Sequence, residues 1–262
     1  MQYALAASLM AGTALALIGV FILVTRVSFA GLAVSQLAAL GTVVGTFYGF
    51  HYGEYGFALA FVGIGMILLS QISKTQRTPQ EAWVACLYIL GAGLSVLILS
   101  KAPQGESHTL NVFFGNVLSL GMPEIWESLS IFALSCIILV VWFYRWVWIS
   151  FDPLSVEVSK INVDRWNFIF YTLFALAMTV SIHIFGVLLA FTYLLLPATI
   201  GLLLISRLKS LFIFIPILTS VVTFFGFYFS FRLDVPTGPF ISSILAGMVL
   251  ACGIYLKWIR VP

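Results

Sequence analysis

Long apolar runs uninterrupted by charge dominate this sequence, and that pattern restricts the chain to one kind of solvent. Runs of about 18–22 apolar residues suit helices crossing a hydrocarbon core about 30 Å thick. They fall at 4–24, 30–50, 55–73, 82–100, 128–148, 166–184, 186–204, 211–230 and 238–256. The sixth and seventh form one run broken only near His183–Gly186, so the pattern predicts eight or nine spans. Only 8% of the residues are charged and 62% are hydrophobic, whereas a water-soluble domain carries about 25% charged residues. The expected architecture is an all-α polytopic integral membrane protein, with residues 1–262 as a single transmembrane domain. That leaves no space for a soluble ATPase, kinase or ligand-binding domain.

The first run, Leu5 to Val24, lacks a basic leading region and is too long for a signal-peptide core, so it reads as a retained span. Cys86, Cys136 and Cys252 all lie within apolar runs, and an odd number there argues for packing residues rather than a disulfide framework. The net charge of +3 is no sign of nucleic-acid binding; it follows from topology. With nine alternating spans and the C-terminus inside, Arg26, Lys74, Arg77, Arg145, Lys160, Arg165, Arg207, Lys209, Lys257 and Arg260 are cytoplasmic. Only Lys101 and Arg232 fall outside, which satisfies the positive-inside rule. The external loops then hold Glu54, Glu106, Glu124, Glu127 and Asp234, a mildly acidic face that suits a cation.

Two runs in the last third carry Pro/Gly-marked breaks: Gly186 through Pro197 to Thr199, and Leu233-Asp234-Val-Pro236-Thr-Gly238-Pro239. Broken backbone at membrane depth survives only where protein buries it or it lines a cavity, so such breaks mark functional ground. Asp234 is the only carboxylate near either break. It reads as a cation contact at an external gate, as the partner of Arg232, or as a cap on the helix beginning near Thr237. Gln36 sits mid-span, where a polar side chain asks for a role; it either touches the substrate or makes an interhelical hydrogen bond. His183 in the sixth run is a candidate ligand or a neutral histidine bonded to backbone. His51 and Glu54 lie three residues apart at the outer end of the second span and form a candidate external cation site. Gly41, Gly45 and Gly49 place three glycines on one helix face, a close-packing surface. Trp142, Trp146 and Trp148 with Arg145 read as an anchor at the inner membrane boundary. Walker, His-Glu-x-x-His and Gly-x-Ser-x-Gly motifs are absent, so the chain does not read as an enzyme.

The motifs together resemble the permease subunits of zinc/manganese/iron ABC importers. Gly31-Leu-Ala-Val-Ser35-Gln36-Leu-Ala-Ala-Leu-Gly41 is similar to the family's Gly-Asp-Ala-Leu-Ser-His-Ala-x-x-Pro-Gly. Phe114-Gly115-Asn116-Val-Leu118 resembles Phe-Gly-Asp-Ile-Leu, and Phe151-Asp152-Pro-Leu resembles a cytoplasmic Phe-Asp-x-x. Gly186-Val-Leu-Leu…Leu196-Pro197-Ala198-Thr199 and Asp234-Val-Pro236-Thr-Gly238-Pro239 are similar to two further motifs, and all five come in order. The family's Asp–His pair in the second span is Leu32 and Gln36 here, and its Pro is Leu40; Asp234 is the surviving metal-ligand candidate.

The resemblance implies an ABC importer permease fold in a bacterial cytoplasmic (inner) membrane, with zinc, manganese or iron as substrate. It implies a cytoplasmic ATP-binding subunit carrying the ATP, an external substrate-binding protein and a second permease copy or paralogue. No cofactor is expected on this chain. Pro197, Ala198, Thr199, Gly201 and Arg207 would lead into the element that couples to the ATPase, with Pro197 ending the span and a short surface helix after it. Two alternatives stay open: a chelated metal or other solute on the same fold, since the Asp–His pair is replaced, and an ATPase-independent channel or secondary transporter.

Overall fold

The computed structural model describes residues 2–25, 28–47, 53–72, 80–101, 115, 122–151 and 163–259. Regular structure among them is helical throughout: α1 (Gln2–Val24), α2 (Ser28–Phe47), α3 (Gly53–Ile72), α4 (Gln80–Leu99), α5 (Met122–Val141), α6 (Phe143–Phe151), α7 (Val163–Leu204), α8 (Leu208–Leu233) and α9 (Thr237–Ile259). Among the described residues, five helices (α1, α4, α7, α8 and α9) are long and apolar enough to cross a membrane, six if α5 and α6 count as one bent span. Gly31–Phe47 of α2 and Gly56–Leu68 of α3 are shorter apolar stretches.

The fifth run differs from a straight span over 128–148. Its helix turns by 70° at Trp142, between α5 and α6. Packing explains the turn. Trp146 is buried, and its ring meets Trp166 at 5.2 Å and Phe170 at 5.5 Å, while Phe143 meets Phe212 at 4.6 Å. These aromatic contacts hold the last part of the run against α7 and α8.

α1 forms the centre. Of its apolar stretch 67% is buried inside the protein, against 11% for α9, so α1 is enclosed by protein while α9 lies at the outside. Ala4, Ala7, Ala11 and Ala14 recur at helical spacing and are all buried, and small side chains let backbones approach. At Gly19 the approach is complete: a Cβ there would overlap the Leu194 carbonyl of α7. At Gly12 a Cβ would lie 2.9 Å from Thr219 Cγ2 of α8 and 3.3 Å from the Tyr193 ring of α7. Three helices meet at that point. The Thr223 hydroxyl donates to the Oη of the buried Tyr193 at 2.9 Å.

A second group forms around α2, whose main neighbours are α3, α4 and α7. The glycine face expected on this helix packs where it is described: Gly41 lies directly on the Phe57–Ala58 backbone of α3. α2 then meets α4 at Gly91, where a Cβ would come 3.0 Å from the Gln36 carbonyl carbon.

Candidate functional site

The first break lies at Gly186, inside α7. Its φ of 76° and ψ of 167° belong to a region essentially restricted to glycine. Phe185 and Ile184 beside it are buried. A second positive-φ glycine, Gly115 (φ 71°), is seated on the Phe185–Gly186 peptide; a Cβ at Gly115 would lie 2.7 Å from the Gly186 nitrogen and overlap the Phe185 carbonyl. Two motif segments far apart in sequence thus share one contact, and glycine is needed on both sides of it. Gly115 appears in the sequence only as a letter of a motif; nothing local reveals what it touches. His183, three residues before the break, is half-buried.

Beyond Gly186 the helix continues, and this corrects the expectation at Pro197. The proline does not end the span: α7 runs through it to Leu204. Pro197 lacks an N–H to donate, but neighbouring helices re-satisfy such a position in a membrane protein. Pro197 and Ala198 are buried, and Gly201 is packed with a would-be Cβ 2.7 Å from Ile215 Cδ1 of α8. Thr199 Oγ1 donates to the Leu195 carbonyl at 2.8 Å. The short surface helix expected after Pro197 is likewise replaced. Residues 205–207 leave the helix and α8 begins at Leu208. Of the five residues assigned to coupling, Arg207 alone is exposed, as the extended cap (φ −94°, ψ 119°) before α8. Leu202, Leu203 and Leu204 are exposed just before it.

The second break is the turn between α8 and α9. Asp234 occupies the left-handed region (φ 53°, ψ 44°) as the C-cap of α8, with its backbone N–H on the Ser230 carbonyl. The Val235 N–H bonds the same carbonyl at 3.1 Å. Ser230 Oγ donates to the Val235 carbonyl at 2.6 Å and lies 2.9 Å from Thr237 Oγ1. Asp234 therefore closes α8 with its backbone and does not cap α9, and its side chain is exposed. Arg232 turns to Tyr228, lying 5.6 Å above the ring and donating to the hydroxyl at 3.3 Å.

Gln36 is 2% exposed, and its Oε1 has no hydrogen-bond partner among the described residues. The interhelical hydrogen bond anticipated for it is not formed by that oxygen. Leu32, one turn earlier, is half-buried and its carbonyl accepts from Ser35 Oγ at 2.7 Å. Gln36 thus belongs to the α2–α4 contact and Asp234 to the α8–α9 turn. Among the described residues no group of three or more His, Cys, Asp or Glu side chains is placed to hold a metal ion. His51 and the side chain of Glu54 lie outside the described residues.

A glycine-dependent break inside α7, a turn closed by Asp234, a helix threaded by a buried proline and an apolar exterior describe a membrane-embedded bundle. The family model of the ABC 3 transport family matches residues 1–255. This chain belongs to that family. Its resemblance to metal-ion ABC permeases, read from five short motifs, therefore extends nearly end to end. Among curated relatives, the manganese transport system membrane protein MntC of Listeria monocytogenes is 26% identical over 243 residues, covering 91% of this chain and 84% of the relative. The MntC protein of Halalkalibacterium halodurans is 24% identical over 240 residues, covering 91% and 81%. In fold, the chain is similar to PsaBC from Streptococcus pneumoniae, solved in complex with Fab, with a TM-score of 0.86 at 19% identity over 96% of this chain and 90% of that one. An inward-facing ABC transporter of the metal-chelate type gives a TM-score of 0.79 at 16% identity, covering 96% and 85%.

Proposed function

We propose that this ABC 3 family member is the membrane-spanning permease subunit of an ABC importer for a divalent metal, with manganese the favoured ion. The family match along residues 1–255 carries the reading, and the manganese relatives support the choice of metal. Its chemistry is consistent with that choice. The Asp234 carboxylate and the Gln36 side-chain oxygen, unpartnered among the described residues, are hard oxygen donors, which suit manganese better than the thiolates and imidazoles that favour zinc. Gly91 of α4 packs on the backbone and Cβ of Gln36, and in this reading the α2–α4 contact parts to admit the ion, as alternating access demands. His183, His51 and Glu54 remain further pathway candidates.

Residues 1–262 act as one transmembrane domain of eight or nine spans. α2, α3 and the bent α5–α6 pair add three to the five long helices, and the 37-residue apolar stretch Phe168–Leu204 supplies one or two. At 1.5 Å per residue that stretch is about 55 Å long, well beyond a core of about 30 Å. The C-terminus lies in the cytoplasm of a bacterial cell. ATP is bound and hydrolysed by a separate cytoplasmic subunit, against which the corner carrying the exposed Leu202, Leu203, Leu204 and Arg207 rests. An external binding protein delivers the ion, and a second permease copy or paralogue completes the pathway.

A second reading keeps the fold and exchanges the substrate for a chelated metal or another solute. It is favoured by the replacement of the Asp–His pair by Leu32 and Gln36. Uptake of radiolabelled manganese, zinc and iron separates the two, in cells expressing the chain with its ATPase and binding protein. ATP-dependent manganese uptake that falls in Asp234→Asn and in Gln36→Leu supports the first reading. An assembled complex that takes up none of the three overturns it in favour of the second.

A further inference from the structure

A groove of about 280 Å³ lies between α5 and α7, lined by Leu134, Ile138, Phe168, Ile169, Leu173 and Leu176, with the hydroxyl-bearing Ser135 and Thr172. Several of its walls face outward: Phe168 is 73% exposed and Leu134 53%. Exposed apolar side chains on a membrane-spanning helix suit contact with lipid. One end of the groove differs from the rest. Trp142 follows Ile138 by one helical turn on one wall, and Trp166 precedes Ile169 by three residues on the other. Their rings meet at 5.6 Å. Over the Trp166 ring, at 4.8 Å, stands the exposed guanidinium of Arg145. The indole N–H of Trp146, 5.2 Å ring to ring from Trp166, is buried and has no acceptor among the described residues. An apolar slot thus lies about one helical turn, along both of its walls, from a cationic aromatic cluster.

We propose that this groove binds one anionic phospholipid, its acyl chain along Leu134, Ile138 and Leu173 and its phosphate on Arg145. Charge complementarity selects this occupant. The hydrocarbon slot suits any acyl chain, but the cation at its mouth distinguishes an anionic headgroup from a zwitterionic one. The planar guanidinium, pre-oriented by stacking on Trp166, presents a fork of donors that matches phosphate oxygens. Arg145 lies just past the 70° turn between α5 and α6, where it is held over Trp166 of α7.

The test is native mass spectrometry of the purified full-length chain after incubation with equal amounts of dioleoyl phosphatidylglycerol and dioleoyl phosphatidylcholine. The expected result is about fivefold more retained phosphatidylglycerol, the selectivity of one basic residue at a membrane surface. Arg145→Gln, an exposed substitution, should equalise the two lipids, and Arg145→Lys should keep most of the preference. Thr172→Trp, which fills the slot, should reduce retention of both while the melting temperature stays near that of the wild type. Equal retention of both lipids by the wild type, an unchanged preference in Arg145→Gln, or a second copy of the chain covering the groove would overturn the proposal.

Discussion

The breaks at Gly186 and at Asp234–Pro236 read alike in sequence and behave oppositely in the fold. At Gly186 the helix resumes after one non-helical residue. The break is buried, and Gly115 fills the space against it. At Asp234 the chain ends one helix and starts another, and the turn is exposed and held by the Ser230 hydroxyl and carbonyl. Protein around a break lets it persist inside a helix. Where the flank is open, the chain uses the same residue types to turn. Pro197 completes the comparison: it is buried and flanked by helices, and it produces no break at all.

Substitutions at the two breaks test this contrast. The largest effect is expected for Gly115→Ala, which combines a left-handed backbone with overlap against the Phe185 carbonyl. A loss of about 2–5 kcal/mol follows from the two costs together, measurable as a fall in melting temperature in detergent. Gly186→Ala meets the backbone restriction, which by itself should cost about 1–3 kcal/mol. If Gly115→Ala proves silent, the two segments do not support each other as described. At the open turn the effects shrink. Ser230→Ala removes the bond to the Val235 carbonyl and should cost about 1 kcal/mol. Asp234→Gly has the smallest expected effect on stability, neutral or favourable by up to about 1 kcal/mol, because the left-handed conformation suits glycine better than aspartate. Transport should nevertheless be lost in Asp234→Gly if the carboxylate meets the ion. A stable variant that still transports would assign Asp234 to the turn alone.

The candidate site was legible in the sequence to an uneven degree. Asp234 and Gln36 stood out because a polar side chain in or beside an apolar run is conspicuous. What surrounds them was not visible. The Gly91 backbone against Gln36 comes from α4, and Gly115 meets Gly186 from the far side of α5 and α6 in sequence. Asp234 read as a ligand, an ion-pair partner or an N-cap; the path of the backbone made it the C-cap of α8. The 70° turn at Trp142 was hidden inside a run that hydropathy reads as continuous. Aromatic packing against Trp166, Phe170 and Phe212 produces it, and those partners lie on other helices.

The sequence by itself determined that the chain is helical and built for a membrane. That decision rests on summed hydropathy and on backbone groups that must find partners within their own segment, both properties of consecutive residues. It also marked where the long helix loses its regular geometry, because a glycine leaves a local trace. Tertiary structure alone decided which marked positions bend, which pass straight through and which polar atoms are left without partners. Those outcomes depend on what another helix places against the backbone, as Gly115 does at Gly186 and Gly91 does at Gln36.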